Sequence, residues 1–365
     1  MTKIIPFSIG DRKIEVMLQK IGKSPIKTLT ELITNSDDSY KRLLYCENCK
    51  KRFLEKEYRK KLCPDCGNLL SDVLGEIIII YYLKDKKFQV IDHAEGLTDD
   101  EMEEKFNEYG EDIPGRTAQT LERGLFKQGL AQVLFTQEYG NVRSIKNSQS
   151  YICKYIKQRK KGTTKKKRGF YISLGPRLTD ELRKAWSIPQ GNGTLVEFKL
   201  RKDTRKPNPD KLYEKLCNFF MLRKILSDPK RDVKLIVISS NGKPFEKKLK
   251  PIEPKGGKPL TSFLSEMKYE DYSPIKIEAE VFENPSPLVQ HEKGIEDREG
   301  GLLVFDNRNR VYDLTLFRFD KWQDCRNLYG NVKFRTHDII QGGRHLYQSK
   351  IGGTTGKVVN LCDAT

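Results

Sequence analysis

The chain has 365 residues, of which 37% are hydrophobic and 32% are charged, and its formal net charge is +18. This length accommodates two domains, and the hydrophobic content excludes a wholly disordered chain. The basic excess favours polyanionic partners such as nucleic acid, nucleotide phosphates or anionic membrane surfaces. No apolar run approaches the about 18 residues that a membrane helix needs, and the N-terminal apolar stretch is too short for a signal peptide. We therefore expect a cytosolic or nuclear chain without a membrane partner, with a cytoplasmic location as the prediction.

The first strong element is a helix predicted from Pro25 to about Leu44, because Ser24-Pro25 is a favourable helix start. One stripe of this helix is mostly apolar. A second stripe carries four polar side chains at helical spacing: Glu31, Asn35, Asp38 and Arg42. Such a stripe can hold a metal-bound phosphate, with an acid to act on water, an amide oxygen for a hard cation and a base for the phosphates. A solvated helix face with ordinary polar pairs explains the same pattern.

Two Cys-x-x-Cys pairs separated by 13 residues follow the helix, within residues 45–70. The four cysteines are Cys46, Cys49, Cys63 and Cys66. Each pair can direct two thiolates at one ion, and four thiolates form the closed tetrahedral site that is typical of structural zinc. Four reduced surface thiols or a disulfide pair are the alternatives. Because a closed site leaves no open coordination position, we predict a structural role for this zinc.

The next segment, residues 75–92, contains two apolar runs around a polar turn and predicts a β-hairpin that enters a buried sheet. It ends at Asp92, and a loop of small residues leads to Gly96. An acid at a strand end, followed by such a loop, is a common place to bind a ligand.

An acidic helix is predicted at about residues 99–109, and a loop follows it. The stretch from Gly124 through Lys127 to Gly129 then opens a short helix that runs to Phe135. Glycines at a helix start suit phosphate oxygens, because the backbone amides and the helix dipole point at them. Packing or turn glycines are the common alternative.

Residues 141–175 predict strands joined by a strongly basic loop. The basic residues assigned to nucleic-acid contact are Lys160, Lys161, Lys165, Lys166, Lys167 and Arg168. Their density suits contact with a phosphate backbone, while a solvated hairpin tip explains the run equally well. Further along, the sequence predicts a strand after Gly193-Thr194, a helix at 209–226 and a buried strand at 233–239. Weaker strands, including one at 275–282, follow.

Four motifs therefore stand in a fixed order. They are Glu31-x-x-x-Asn35-x-x-Asp38 on a helix, Asp92-x-x-x-Gly96 after a strand, the glycine-rich turn at 124–129, and Gly193-Thr194-x-Val196 before a strand. This order resembles the GHKL superfamily, which includes DNA gyrase, the ninety-kilodalton heat-shock chaperone, sensor histidine kinases, MutL proteins and MORC proteins. The resemblance covers about residues 14–240. It implies an α+β protein with a Bergerat-type α/β sandwich, in which helices cover one face of a mixed sheet.

The resemblance also implies a role for each matching residue. Glu31 matches the general base that activates water, Asn35 the Mg²⁺ ligand, and Asp38 a further acid near the nucleotide. Arg42 lies where some members have a basic residue that reaches a phosphate. The nucleotide contacts implied for the other motifs fall on Asp92 with Thr194 at adenine, Gly96 in the loop after Asp92, and Gly124, Lys127 and Gly129 at the phosphates. ATP, Mg²⁺ and Zn²⁺ are the expected cofactors.

By this resemblance, residues 1–240 form the ATP-binding domain and residues 97–129 its lid. The zinc ribbon at 45–70 is an insert, and residues 241–365 form a transducer-like α/β domain that could be truncated. Two departures from the family pattern stand out. Ala94 replaces the first glycine after Asp92, and Lys127 stands at the middle glycine of the phosphate turn. Binding of ATP is therefore better supported than its turnover, and hydrolysis is expected to be slow.

The chain looks most similar to prokaryotic MORC-type ATPases, which have been linked with DNA restriction and anti-phage defence. This resemblance implies an ATP-dependent homodimer that closes as a clamp on DNA and cooperates with a separate effector protein. A non-catalytic module that binds nucleic acid or protein, with ATP as a structural ligand, is the first alternative. A chaperone-like ATPase is the second. For the basic zinc insert, contact with nucleic acid and docking of a protein are both open.

Overall fold

The computed structural model describes residues 2–6, 24–58, 61–107, 129–159, 166–239, 244–252, 257–267, 275–288, 299–306, 309, 311–315 and 327–334. Within these ranges the chain is mixed α+β, with large mixed sheets, as the sequence predicts. It divides into two compact units. Unit 1 comprises Met1–Ile113, Leu121–Cys217 and Ile225–Pro251, and unit 2 comprises Pro114–Thr120, Asn218–Lys224 and Ile252–Thr365.

The described α-helices are α1 (Pro25–Lys41), α2 (Asp99–Asn107), α3 (Gly129–Thr136), α4 (Asp180–Ala185), α5 (Pro209–Asn218) and α6 (Arg223–Leu226). Short 3₁₀ turns lie at Glu55–Glu57 and Phe220–Leu222. None of the helices in the described ranges is both long and apolar enough to cross a membrane.

A nine-stranded sheet forms the centre of unit 1, in the order β1-β9-β8-β7-β10-β6-β5-β11-β12. Its strands are β1 (Thr2–Pro6), β5 (Gly75–Tyr82), β6 (Lys87–Asp92), β7 (Tyr139–Lys146), β8 (Gln149–Arg159), β9 (Lys166–Leu174), β10 (Gly193–Lys199), β11 (Arg231–Ile238) and β12 (Pro244–Lys248). β5 and β11 run parallel, and the other neighbours are antiparallel. The predicted hairpin is confirmed as β5 and β6.

Three helices cover one face of this sheet. Helix α1 contacts β5 and β6, α2 contacts β8 and β9, and α3 contacts both α1 and β7. Aromatic side chains fill the space beneath α2, where the rings of Phe106 and Phe170 stack with centroids 4.2 Å apart. This face therefore holds the main apolar core of the unit.

The opposite face of the sheet is also covered, which the sequence reading did not assign. Trp186 and Ile188 pack there against Ile91, Ile145 and Leu195, with α4 beside them. The strands explain this arrangement. In β5 the isoleucines point alternately to the two faces, and a sheet that is apolar on both faces needs a layer on each.

Two helix predictions need correction. The first helix ends at Lys41 rather than Leu44, because Leu43–Cys46 leaves the helix to form strand β2. The helix predicted at 209–226 is broken after Asn218 into a 3₁₀ turn and the short helix α6. At the first break Leu43, Leu44 and Tyr45 pair with β3 and β4, and this strand pairing overrides the helical periodicity.

The cysteine-rich segment that the sequence predicts as a zinc ribbon, called the ribbon below, has its own three-stranded sheet in the order β3-β2-β4, with β2 at Leu43–Cys46, β3 at Lys51–Leu54 and β4 at Ser71–Asp72. Leu44 and Leu70 form a small apolar core with Cys46 and Cys63. The ribbon therefore lies between α1 and β5 in the chain and has a core of its own.

Unit 2 contains a five-stranded mixed sheet in the order β13-β14-β17-β15-β16. The strands are β13 (Lys258–Met267), β14 (Ile275–Glu283), β15 (Gly301–Asp306), β16 (Val311–Thr315) and β17 (Leu328–Phe334). Ile277, Ala279, Leu302 and Val332 are buried on one face of this sheet. The predicted strand at 275–282 is confirmed as β14, and β15 pairs antiparallel with β16.

Candidate functional site

Helix α1 begins where the sequence places it. The hydroxyl of Ser24 accepts a hydrogen bond from the backbone N–H of Lys27 at 3.3 Å, and Pro25 occupies the first helical position. Leu29 and Ile33 are fully buried beneath the helix. This packing fixes the rotation of α1, so that its polar residues lie beside α3 and beside the end of β6.

The first contact between predicted motifs joins Glu31 to Gly129. Gly129 opens α3, and a Cβ atom placed on it would lie 1.5 Å from Oε1 of Glu31. Since real Cβ atoms do not approach an oxygen so closely, only glycine leaves room for this carboxylate. The structure thus brings the predicted general base against the last glycine of the predicted phosphate turn.

The surroundings of Glu31 favour its neutral form. Burial, together with the negative charge of Asp38, raises the pKa of Glu31 to about 7. Asp38 is itself buried, one to two helical turns away on the same stripe. A carboxyl group with a pKa near neutrality can exchange a proton with water, which is what general-base catalysis requires.

Asn35 lies between these two acids on α1 and is half-buried. Its Nδ2 atom is buried and has no hydrogen-bond partner among the described residues. Buried polar atoms are normally paired, so an unpaired amide on this stripe is consistent with a ligand contact. The amide oxygen of the same side chain is a ligand atom that suits Mg²⁺.

Asp92 ends β6 and is buried, with 6% exposure. Its Oδ2 accepts a hydrogen bond from the hydroxyl of Ser36 at 3.0 Å, and its Oδ1 accepts one from the backbone N–H of Ala94 at 3.1 Å. Burial raises the pKa of Asp92 to about 6 despite these bonds. Each carboxylate oxygen has a second lone pair, which leaves Asp92 able to accept from a ligand N–H.

Thr194 lies directly opposite Asp92 in the register between β10 and β6, and Ser144 of β7 lies opposite Thr194. These three polar residues form one row on the sheet face that α1 covers. Ser144 donates to the carbonyl of Gly193 at 3.2 Å and accepts from the backbone N–H of Leu97 at 2.6 Å. The row therefore connects the predicted adenine contact to the start of the predicted lid.

Gly96 needs the absence of a side chain for two reasons. Its φ is +71°, in the left-handed region, and a Cβ atom would lie 2.3 Å from the carbonyl oxygen of Ile145. Ala94, the departure from the family pattern, is buried with 2% exposure and gives its N–H to Asp92. The alanine thus fits the loop without disturbing the acid that precedes it.

Arg42 does not point freely towards a phosphate in this structure. Its Nε donates to Oε2 of Glu95 at 2.7 Å, and Lys146 lies 3.2 Å from the other oxygen of Glu95. Lys146 also pairs with Glu101 at 2.7 Å, and the second oxygen of Glu101 accepts from the N–H of Thr98 at the start of α2. This chain of ion pairs joins α1, the loop after Asp92 and α2.

The four cysteines of the ribbon meet at one point. Their sulfur atoms all lie within 4.8 Å of one another, with Cys46 and Cys66 separated by 3.5 Å and Cys49 and Cys63 by 3.8 Å. Tetrahedral ligands about 2.3 Å from zinc are separated by roughly 3.8 Å. The cluster can therefore hold a metal ion, and its geometry is compatible with zinc.

The two cysteine turns of the ribbon have the same backbone design. Lys50 donates its N–H to the carbonyl of Cys46 at 2.9 Å, and Gly67 donates to Cys63 at 2.8 Å. Both residues have positive φ, +56° and +73°. The backbone N–H of Asn68 lowers the pKa of Cys66, which favours the thiolate form that binds metals.

Several predicted site residues lie outside the described part of the chain. They are Gly124, Lys127, Lys160, Lys161 and Lys165. Lys166, Lys167 and Arg168 are placed in β9 by their backbone, and their side chains are not described. In the register of this hairpin, Arg159 of β8 is opposite Lys166 and Lys157 is opposite Arg168. The backbone thus brings basic positions of two strands together.

Sequence reasoning missed several residues that hold the site together. By helical spacing alone, Ser36 and Tyr40 fall on the mostly apolar stripe of α1. Ser36 instead contacts Asp92, and the Tyr40 hydroxyl accepts from the N–H of His93 at 2.9 Å and donates to the carbonyl of Glu76 at 2.7 Å. A serine and a tyrosine on an otherwise apolar helix face were the available signal. Ser144 and Glu95 had no comparable signal.

Neither a scan against models of known protein families nor a search among curated proteins finds a match for this chain. The functional inference therefore depends on the residues, on their geometry and on the resemblance of the motif order to the GHKL superfamily.

Proposed function

We propose that this chain is a Mg²⁺-dependent ATPase with a Bergerat-type fold, similar to the GHKL superfamily. The observation that carries the proposal is the convergence of motifs that are distant in sequence. Glu31 contacts Gly129, and Asp92 lies opposite Thr194 in the sheet register. Ser36, on the same helix as Glu31, bonds directly to Asp92. One helix thus connects a candidate phosphate end to a candidate adenine end.

In this proposal Asp92 accepts a hydrogen bond from the amino group of adenine, and Thr194 supports that contact. The loop that ends at Gly96 allows close approach of the base. The side-chain oxygen of Asn35 would hold Mg²⁺, which would neutralise negative charge on the phosphates. Glu31 accepts a proton from the attacking water, for which its raised pKa near neutrality is suited.

The wider role that we propose is a dimeric clamp on DNA, gated by ATP, with the five-stranded unit 2 as a transducer-like domain. The net charge of +18 and the basic positions paired across β8 and β9 support contact with nucleic acid. A role in DNA restriction or anti-phage defence, with a separate effector protein, follows from the resemblance to MORC-type ATPases. The zinc ribbon is a structural addition to the ATP-binding domain.

The test compares nucleotide binding with turnover in three proteins. The wild-type chain should bind ATP with Mg²⁺ and release phosphate slowly, and Glu31→Gln should bind ATP while its phosphate release falls to background. Asp92→Asn should lose ATP binding, because an amide that donates at adenine leaves the amino group unpaired. Full turnover by Glu31→Gln would sink the assignment of the base. Binding without turnover in the wild type would favour the alternative of ATP as a structural ligand.

The DNA part of the proposal has a separate test. DNA affinity should fall steeply with added salt, because release of counterions from the phosphate backbone drives such binding. The non-hydrolysable ATP analogue should shift the chain to a dimer in size-exclusion chromatography. Absence of any DNA binding at low salt would favour a chaperone-like ATPase.

A further inference from the structure

The zinc ribbon touches the loop after Asp92 through the side chain of Arg52. This residue lies in the middle of β3, and its Nη1 donates a hydrogen bond to the backbone carbonyl of His93. His93 is the residue next to Asp92, the proposed adenine acceptor. An element that follows the first cysteine pair therefore reaches the nucleotide site directly.

A second contact joins the same part of the ribbon to the other side of this loop. The N–H of Glu55, which directly follows β3, donates to the carbonyl of Arg42 at 2.8 Å. The side chain of Arg42 in turn holds Glu95 at 2.7 Å. The segment from Arg52 to Glu55 thus restrains the loop at His93 and, through Arg42, at Glu95.

The position of this segment depends on the cysteine cluster. β3 pairs with β2, and Lys51 at the start of β3 lies opposite Cys46. The chain then returns to Cys63 within the same small core. Small ribbons of this kind are generally held by their metal and lose their structure without it. Loss of the metal should therefore release Arg52 from His93.

Other contacts to the loop come from α1 and do not involve the ribbon. The Tyr40 hydroxyl accepts from the N–H of His93, and the Ser39 hydroxyl accepts from the N–H of Glu95 at 3.2 Å. These contacts should keep the loop partly ordered when the ribbon is lost. The effect of the metal on the loop is therefore expected to be graded rather than complete.

We propose that Arg52 is a positioning residue through which metal binding in the ribbon strengthens the binding of adenine nucleotide. The inference rests on the proposed function for its nucleotide part. Its structural part, which is the order of the loop at 93–96, does not depend on the proposed function. The expected coupling is about fivefold in affinity, at the low end for coupled sites, because Arg52 is exposed to solvent.

The experiment uses the full chain, loaded with zinc or treated with a chelator, as wild type, Arg52→Ala, Arg52→Lys and Lys51→Ala. Lys51→Ala is the matched control, because it removes a charge from the same strand. The Lys51 side chain pairs with Asp65 inside the ribbon at 2.7 Å. Hydrogen exchange of the amides of residues 93–97 reports on the loop without nucleotide. Calorimetry reports the affinity for ATP, and metal analysis reports zinc content.

In zinc-loaded protein, Arg52→Ala should speed exchange at 93–97 and weaken ATP binding by about fivefold. Arg52→Lys should recover part of both effects, and Lys51→Ala should match the wild type. Removal of zinc should reproduce the effect in the wild type and add little in Arg52→Ala. Equal exchange and affinity in Arg52→Ala and Lys51→Ala would overturn the proposal, and so would loss of zinc by Arg52→Ala.

The two levels of the inference can fail separately. If zinc-loaded wild type bound no ATP while its loop exchange still depended on Arg52 and zinc, the proposed ATPase function would fail and the structural coupling would stand. If ATP bound tightly and the exchange ignored Arg52, the coupling would fail and the function would stand.

Discussion

The cysteine cluster and the candidate nucleotide site lie close together in unit 1, yet they are assembled in opposite ways. All four cysteines come from one short segment, Cys46–Cys66, and two similar turns present them. The nucleotide site draws on α1, β6, α3 and β10, which are spread from Glu31 to Thr194. The ribbon can therefore form locally, whereas the nucleotide site exists only once the nine-stranded sheet and its helices have packed.

The largest expected effect is the loss of structure in the ribbon when its metal is removed. Chelation of the metal, or Cys63→Ser, should unfold residues 45–70 while the core of the nine-stranded sheet persists. Structural zinc contributes about 10 kcal/mol or more to small domains of this kind, far above what the ribbon's few apolar residues supply. Limited proteolysis followed by mass spectrometry measures the change.

The control for this prediction is Cys153→Ser, at a buried cysteine of β8 outside the cluster. It should lose some stability of the sheet through a buried hydroxyl but retain zinc and a protease-resistant ribbon. Cleavage within 45–70 at the same rate with and without metal would contradict the prediction.

The second prediction concerns the close contact between Glu31 and Gly129 in the candidate nucleotide site. Gly129→Ala places a methyl group where the Glu31 carboxylate lies, so that Glu31 or the start of α3 must move. A displacement of about 1 Å at a catalytic group can lower the rate by about 100-fold. We expect a loss of this order in phosphate release, with a stable fold by circular dichroism.

Gly191→Asn is the matched control for this glycine. Its φ of +65° suits asparagine, and a Cβ atom there meets no atom within 4 Å. Phosphate release should stay near the wild-type value. If Gly129→Ala were as active as Gly191→Asn, the contact between Glu31 and Gly129 would have no part in catalysis.

How far the sequence predicts each region follows from how it is assembled. Cysteine spacing alone predicted that these four cysteines meet at one point, because the turn that presents each pair is a local structure. Motif order predicted Glu31, Asp92, Gly129 and Thr194 as parts of one site, and the structure places Glu31 against Gly129 and Asp92 opposite Thr194. It could not predict Ser144 or Glu95, whose roles arise only from strand register and from an ion-pair network.

The errors in the fold have the same origin. Leu43 and Leu44 continue the apolar spacing of α1, and the periodicity alone cannot tell that they belong to a strand. Pairing of β2 with β3 and β4 makes these residues a strand. The partner strands follow later in the chain, so the apolar periodicity of the helix contains no information about them. Arg42 is affected by the same error. It caps the helix instead of extending its polar stripe, and there it meets Glu95.

The third prediction concerns pH. Glu31 must be deprotonated to accept a proton, so phosphate release should rise with pH through the region of its pKa, about 7. The negative charge of Asp38 raises that pKa, and Asp38→Asn removes the charge. The midpoint of the pH profile should therefore move to lower pH, by up to about one unit.

Phosphate release measured at ATP well below its KM, which follows kcat/KM and so reports the free chain, gives both midpoints between pH 5.5 and 8.5, a range of about one to two units around that pKa. Asp100→Asn in the exposed first turn of α2 serves as the control for a lost surface charge. A midpoint that moved upward in Asp38→Asn, or that stayed fixed, would show that the group that titrates is not Glu31.

The smallest expected effect compares the two turns inside the ribbon. Lys50 and Gly67 hold the same position in their turns, each with positive φ and an N–H bonded to the first cysteine of its pair. A side chain in the left-handed region costs roughly 1 kcal/mol, part of which glycine gives back through the freedom of the unfolded chain. Lys50→Gly should therefore tighten zinc binding by about 0.5 kcal/mol, which corresponds to roughly a twofold change.

The reverse change at the other turn tests the same cause with the opposite sign. A Cβ atom on Gly67 meets nothing within 4 Å, so Gly67→Ala introduces backbone strain without a steric clash and should weaken zinc binding by about 1 kcal/mol. Competition with a chromophoric chelator measures both variants. The side chain of Lys50 pairs with Glu47 at 3.4 Å in an exposed ion pair, so its lost charge should contribute little. Shifts of the same sign in the two variants would show that the turn conformation is not what sets zinc affinity in this ribbon.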